Sequence, residues 1–174
     1  MNETIQSILG RRSIRRYKST QVDKATIETI LRAGMASPTA SNRQPWELLV
    51  ITSREGREKL ARAHSYAQML LTAPVCIVVC GNRERFYPER EAEDFWVQDC
   101  SALTENMLVA AQSLGLGTCW CGVYPRRTRV EAVSKALGLP QGIVPLSLVA
   151  LGYGDEDPSV KDKWRPDRIH WETW

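Results

Sequence analysis

The longest uninterrupted apolar run in the chain is Pro74 to Cys80, and it limits the architectures available. It is far too short for a membrane span, which takes roughly 20 apolar residues. It is rich in β-branched side chains and is closed by Pro74 and Gly81, so Val75 to Cys80 reads as a buried strand. Three further runs read the same way: Trp46 to Thr52, Thr118 to Val123 and Leu146 to Tyr153. The segments between them carry helical spacing. Ile5, Ile8 and Leu9 precede the stop Gly10, and Asp23 is an N-cap ahead of Ile27, Ile30 and Leu31. Ser53 opens a helix to about Ser65, and a short helical piece covers 66–72. Val97, Cys100, Leu103, Met107, Ala111 and Leu114 mark a long helix from about Asp94 to Leu114. Thr128 and Glu131 form a capping box for a helix ending at Gly138. About four strands interleaved with five or six helices predict an α+β layered fold.

Length and composition agree with one domain over 1–174. The chain is long enough to bury a core, with 43% apolar and 25% charged residues. Residues 82–93 are polar apart from Phe86 and Tyr87 and read as a short lid-like excursion. Residues 155–174 read as an extended tail holding Trp164, Trp171 and Trp174. Two histidines, His64 and His170, exclude a His-rich metal site. The five cysteines include no C-x-x-C pair, so zinc-ribbon and iron–sulfur spacings are missing. An odd cysteine count with no apolar leader predicts reduced thiols and a cytoplasmic protein. Cys119 and Cys121 sit at strand spacing, where small buried hydrophobes are favoured over a redox pair.

The net charge is only +3, but it is uneven. Arg11, Arg12, Arg15, Arg16 and Lys18 crowd one end, and Lys161, Lys163, Arg165 and Arg168 the other. Arg11, Arg12, Ser13 and Arg15 follow a helix stop and suit a phosphate, because a guanidinium matches phosphate oxygens with a planar fork of donors. A solvated charged turn is the other possibility. Ser37-Pro38-Thr39-Ala40-Ser41-Asn42-Arg43-Gln44-Pro45 is a loop whose small residues allow close backbone approach. Asn42 and Gln44 carry both donor and acceptor, as reading a heterocycle edge requires, although an ordinary turn uses the same residues. Gly115 to Gly122 does not have the G-x-G-x-x-G spacing and offers backbone N–H groups between glycines. Lys161 and Lys163 at i, i+2 in an extended tail face one way. The basic N-terminal run lacks interleaved aromatic residues, which argues against nucleic acid as partner.

Taken in order, these segments resemble the nitroreductase family of flavoproteins. The resemblance rests on Arg-Arg-Ser-Ile-Arg at 11–15 and Ser-Pro-Thr-x-x-Asn-x-Gln-Pro-Trp at 37–46. It continues through Gln98-Asp99-Cys100-Ser101-Ala102, Gly-Leu-Gly-Thr-Cys-Trp at 115–120, Lys-x-Lys at 161–163 and a His-Trp-x-x-Trp end. It implies a sheet flanked by helices, an interlocked homodimer, one FMN per subunit at the interface, and NADH or NADPH as reductant in a ping-pong cycle. By position, it implies flavin contacts from Arg11, Arg12, Ser13 and Arg15, and from Pro38, Thr39 and Asn42 with Gln44 in support. It implies further contacts from Trp120, Cys121 and Gly122, and phosphate contacts from Lys161 and Lys163. The family often has Lys-x-Arg there, and a lysine keeps the charge without the bidentate fork.

The chemistry is compatible with the composition, since a flavin carries the hard step and needs no acid–base dyad of histidines. No residue is therefore expected to be catalytic in its own right, and no metal is expected. Phe86 and Tyr87 are the expected substrate walls of a short lid, and a small flat nitroaromatic or quinone the expected acceptor. Dehalogenation, enone reduction or flavin destruction on the same scaffold, and flavin binding without turnover, are the competing possibilities.

Overall fold

The computed structural model describes residues 1–89 and 94–174. Four strands, β1 (Trp46–Ile51), β2 (Val75–Asn82), β3 (Gly117–Gly122) and β4 (Ile143–Gly152), form one sheet in the order β1-β2-β4-β3, with every pairing antiparallel. The helices are α1 (Glu3–Gly10), α2 (Lys24–Met35), α3 (Arg54–Ala63), α4 (Phe95–Ser113) and α5 (Arg127–Leu137). The expected α+β architecture is thus present, with helices on both faces of the sheet.

The two central strands explain the apolar runs. Val75, Ile77 and Val79 point to one face with α2 and α4, and Cys76, Val78 and Cys80 point to the other with α3 and α5. A strand covered on both faces has no polar side, which is why Val75 to Cys80 shows no alternation. β4 changes phase along its length. Val144 and Leu146 face α4, then Leu148 and Ala150 face α3, while Val149 and Leu151 return to the α4 side. A bulge opposite Val79 and Cys80 supplies the extra residue that makes this switch.

α4 buries Trp96, Cys100, Leu103, Met107, Leu108 and Ala111, a broader face than the expected stripe. Leu114 falls outside it as the exposed C-cap. Burying one such large side chain is worth about 1.5–3 kcal/mol. Asp23 and Ser53 cap α2 and α3 as expected, accepting from the backbone N–H of Thr26 and Gly56. The capping box at Thr128 does not form. α5 already begins at Arg127 with Arg126 as an N-cap that lacks a side-chain bond, so Thr128 lies inside the first turn. The chain reaches α5 through a cis Tyr124–Pro125 bond, and Arg126 O takes the first N–H groups from Arg129 and Val130.

The tail after β4 carries no regular element beyond a 3-10 turn at Pro166–Arg168. Ile5, Ile8 and Leu9 on α1 and Trp164, Trp171 and Trp174 in the tail are exposed within one chain. No described helix is long and apolar enough to cross a membrane.

Candidate functional site

Residues 11–17 run along the free edge of β3. Ser13 bridges Thr118 in parallel, Ile14 N–H donates to Thr118 O at 2.9 Å, and Tyr17 bridges Gly154. This close approach needs Gly117, because a Cβ there would lie 2.6 Å from Ile14 Cγ1. Ile14 and Tyr17 point into the core, and the Tyr17 hydroxyl donates to Ile14 O at 2.6 Å. Burial pushes its pKa well above the ordinary phenol value. The polar residues of the strip remain outside.

The strip is strapped by the segment that leaves β4. Glu156 accepts from the backbone N–H of both Arg15 and Arg16. Those donors hold its carboxyl below the usual carboxylate range, with the Arg16 and Arg15 guanidinium groups assisting. Arg12 pairs with Asp157 and donates to Gly10 O at 2.9 Å, and Arg11 pairs with Glu105 of α4 at 3.1 Å. Neither Glu156 nor Asp157 stands out in the sequence as a site residue.

This strap brings the two ends of the chain together. Arg11, Arg12, Lys161 and Lys163 line one cleft of about 580 Å³, floored by Ile8 and Leu9 and walled by Trp164. Arg12 Nε is buried there without a partner among the described residues. An orphaned donor among four cations is the signature of a place for an anion. Ser13 and Arg15 continue the strip from this cleft towards Cys119, with both close to its thiol.

The loop at 38–44 lies elsewhere in the chain. Pro38 and Thr39 line a separate cavity of about 310 Å³ with Phe95, Gln98 and Asp99. Ser41, Asn42 and Gln44 all have positive φ, which side chains with a Cβ rarely adopt. Such conformations cost of order 1–3 kcal/mol each and gather at functional sites. Several contacts hold the loop in place. Asp99 Oδ1 accepts from Ala40 N–H at 3.0 Å, Thr39 Oγ1 from Gln44 N–H at 3.2 Å, and Asn42 Oδ1 from Gln44 Nε2 at 2.8 Å. Burial raises the Asp99 carboxyl above its ordinary value, and the Ala40 N–H partly offsets this. Asn42 and Gln44 therefore satisfy each other within one chain.

Phe86 and Tyr87 part company. Phe86 is buried and stacks on Trp96 at 4.9 Å, over the space that Gly81 leaves by lacking a Cβ. Its ring belongs to the core. Tyr87 packs on Phe95 at 5.6 Å, lies under the Arg43 guanidinium and bonds to Ser41 through its hydroxyl. It therefore joins the 38–44 loop. The end of the expected lid, 90–93, lies outside the described residues.

At the end of β3, Trp120 packs on the α4 side and Cys121 on the α3 side. Gly122 O accepts from His64 Nε2 and Arg129 Nη1, both at 2.9 Å. His64 Nδ1 in turn accepts from Tyr66 N–H at 3.2 Å, which leaves Nε2 to donate to Gly122 O. Tyr66, Gln68 and Met69 then share a cleft of about 340 Å³ with Arg15. Nothing in the sequence pattern marks 64–69 as part of a site, and only the fold sets it beside Arg15. All five cysteines are free and buried. Among the described residues, no group of three or more His, Cys, Asp or Glu is arranged to hold a metal.

Comparison with known proteins matches this geometry to one group. The sequence model of the nitroreductase family covers residues 8–65 and 61–153. The chain is 45% identical over 178 residues, the full length of both proteins, to an Archaeoglobus fulgidus protein provisionally named NADH dehydrogenase/NAD(P)H nitroreductase. A crystal structure from Parabacteroides distasonis with the same provisional name superposes with a TM-score of 0.93 at 38% identity, over all of both chains. An FMN-dependent nitroreductase from Clostridium difficile gives 0.87 at 26% identity, over 98% of this chain and 99% of its own. The fold is therefore shared with these proteins, and the chain belongs to the nitroreductase family.

Proposed function

We propose that the chain is an NAD(P)H-dependent, FMN-containing oxidoreductase that reduces a flat electron-poor acceptor, a nitroaromatic or a quinone, in a ping-pong cycle. The observation that carries this is the cleft where Arg11, Arg12, Lys161 and Lys163 meet from opposite ends of the chain, with Arg12 Nε unpartnered. FMN, when bound, supplies the capacity to take an electron pair from the nicotinamide and to pass it on.

The protein's own residues bind and orient. Arg11, Arg12, Lys161 and Lys163 would hold the phosphate, and an exposed cleft makes that hold salt-dependent. Ser13 and Arg15 lie further along the strip, where Arg15 places positive charge at the polar end of the ring. Trp120, Cys121 and Gly122 offer backbone groups, and the double hydrogen bond on Gly122 O fixes the peptide that carries them. Pro38 and Thr39 line a different cavity of the same chain, and Asn42 and Gln44 belong to the same loop, so the loop would reach a flavin held by a partner subunit. Exposed Ile5, Ile8, Leu9, Trp171 and Trp174 give a homodimer apolar surface to cover. The acceptor would meet Tyr87 at the loop, and the reduced thiols fit a cytoplasmic setting.

The test is direct. Purified protein should be yellow, bleach with NADH or NADPH under anaerobic conditions, and recover colour on adding a nitroarene or quinone. Initial rates should give parallel double-reciprocal lines. A flavin that neither reductant bleaches would reduce the protein to a binder, and recovery only with a halogenated or enone acceptor would move the assignment within the family.

A further inference from the structure

The five cysteines fall into two groups. Cys76, Cys80 and Cys100 are fully sealed at 0% exposure, and burial pushes each thiol up to about 12. Cys119 and Cys121 keep 4% and 6% exposure and stand side by side on one face of β3. Cys121 Sγ lies 3.6 Å from Met69 Sδ and 3.5 Å from Tyr66 O. Two sulfur atoms from two elements are therefore in contact, with the Cys119 thiol beside them on the same strand face, and Met69 also lines the cleft of about 340 Å³ that opens beside Arg15.

We propose that Cys119, Cys121 and Met69 form a binding site for a single thiophilic monovalent d¹⁰ cation, copper(I) or silver(I) in class. Thiolate and thioether sulfur select such ions over harder ones. With metal–sulfur bonds of about 2.3 Å, three ligands around one ion lie ~4 Å apart, within a few tenths of the contact already present. Zinc would need a fourth ligand. The nearest imidazole, His64, has both nitrogens engaged, and no acidic or further cysteine group completes a tetrahedron among the described residues.

Charge points the same way. Two thiolates and one monovalent ion leave one negative charge, and Arg15 supplies the compensating positive charge nearby. Glu156 and Arg129 also face this end of β3; Glu156 is engaged by the backbone N–H groups of Arg15 and Arg16 and by the Arg16 guanidinium, and Arg129 donates to Gly122 O. Binding would displace the two thiol protons to solvent, with no change in oxidation state. The ligand atoms are side-chain sulfurs, so the backbone of the same strand stays available to the flavin.

The experiment titrates the purified holoprotein, with oxidised flavin and no added thiol, with silver nitrate. The expected result is one ion retained per chain after gel filtration, with two protons released. Cys119→Ser and Cys121→Ser should each abolish this first equivalent, Met69→Leu should weaken it by about tenfold, and Cys76→Ser should leave it intact. Silver should also protect Cys119 and Cys121 of the unaltered protein from iodoacetamide, as mapped by mass spectrometry, and this measurement decides if a serine variant fails to fold. Retention in the Cys119→Ser/Cys121→Ser double variant, ions spread over all five thiols, or no ion retained would each overturn the site.

Discussion

The chain-end cleft and the 38–44 loop solve the same problem, holding polar groups ready for a ligand, by different means. The cleft uses charge. Its cations come from residues 150 positions apart, and two of them are already neutralised, Arg11 by Glu105 and Arg12 by Asp157. The loop uses strain. Three of its residues adopt left-handed backbone, and a half-sealed carboxylate, Asp99, pins it from α4. A site based on exposed charge is tolerant of geometry and sensitive to salt. A site based on strained backbone is insensitive to salt and depends on its supporting contacts.

The sharpest test is whether the two regions belong to one site at all. Within one chain they line separate cavities. Lys161→Ala/Lys163→Ala and Asn42→Phe should each abolish most NAD(P)H-dependent activity as homodimers. Co-expressed as a mixed dimer, they should restore about half of it, because one of the two sites would again have an intact cleft and an intact loop. No recovery in an isolated mixed dimer would place cleft and loop in the same subunit's site. The next largest effect separates charge from strain. Removing the two lysines should weaken FMN binding by about 2–3 kcal/mol, roughly 30- to 150-fold, at low ionic strength. The loss should shrink as salt rises. Equal affinity in a fluorescence titration would remove the tail from the phosphate cleft.

These regions differ too in how far the sequence disclosed them. The central strands and the caps at Asp23 and Ser53 were legible, because burial on both faces and local side-chain acceptors leave local signals. The cationic residues were legible as types, since Arg and Lys clusters stand out. Their convergence was implied only by the family resemblance, and the strap that produces it, Glu156 and Asp157, looked like bulk acid. The burial of Phe86 was not legible, because a polar neighbourhood in sequence hides the void at Gly81 that receives its ring. His64, Tyr66 and Met69 carried no signal at all. Their role comes from a tertiary contact between a loop and the end of β3, which spacing along the chain does not encode.

The loop's dependence on its support can be measured without a ligand. Asp99→Ala leaves the Ala40 N–H without its acceptor in a half-sealed position and should cost about 1–2 kcal/mol in urea unfolding. Asp99→Asn keeps an acceptor and isolates the charge. Since burial raises the folded carboxyl above its unfolded value, the native state binds the proton more tightly. The Asp99 contribution to stability is then greatest at low pH and declines as pH rises through the carboxylate range. The stability of the unaltered protein relative to Asp99→Asn should fall across that window and level off above it. A difference that rises with pH would mean that a hydrogen bond to the charged form outweighs desolvation.

The smallest effect concerns Arg15, a cation of the strip outside both the chain-end cleft and the loop. It is exposed and close to Cys119, and its backbone N–H donates to Glu156. Its guanidinium places positive charge at the end of the strip where the ring's polar edge would lie. A cation there favours the extra negative charge of the reduced cofactor, so it raises the midpoint potential. Solvent screening limits the gain to about 1 kcal/mol, or ~20 mV for a two-electron couple. Arg15→Ala should therefore lower the FMN potential by about that amount, while Arg15→Lys should keep most of it because charge, not fork geometry, is what acts. Spectroelectrochemistry of the FMN-bound variants reads the shift directly. An unchanged potential in Arg15→Ala, with affinity reduced, would make Arg15 one more binding cation and extend the charge-based region to the whole strip.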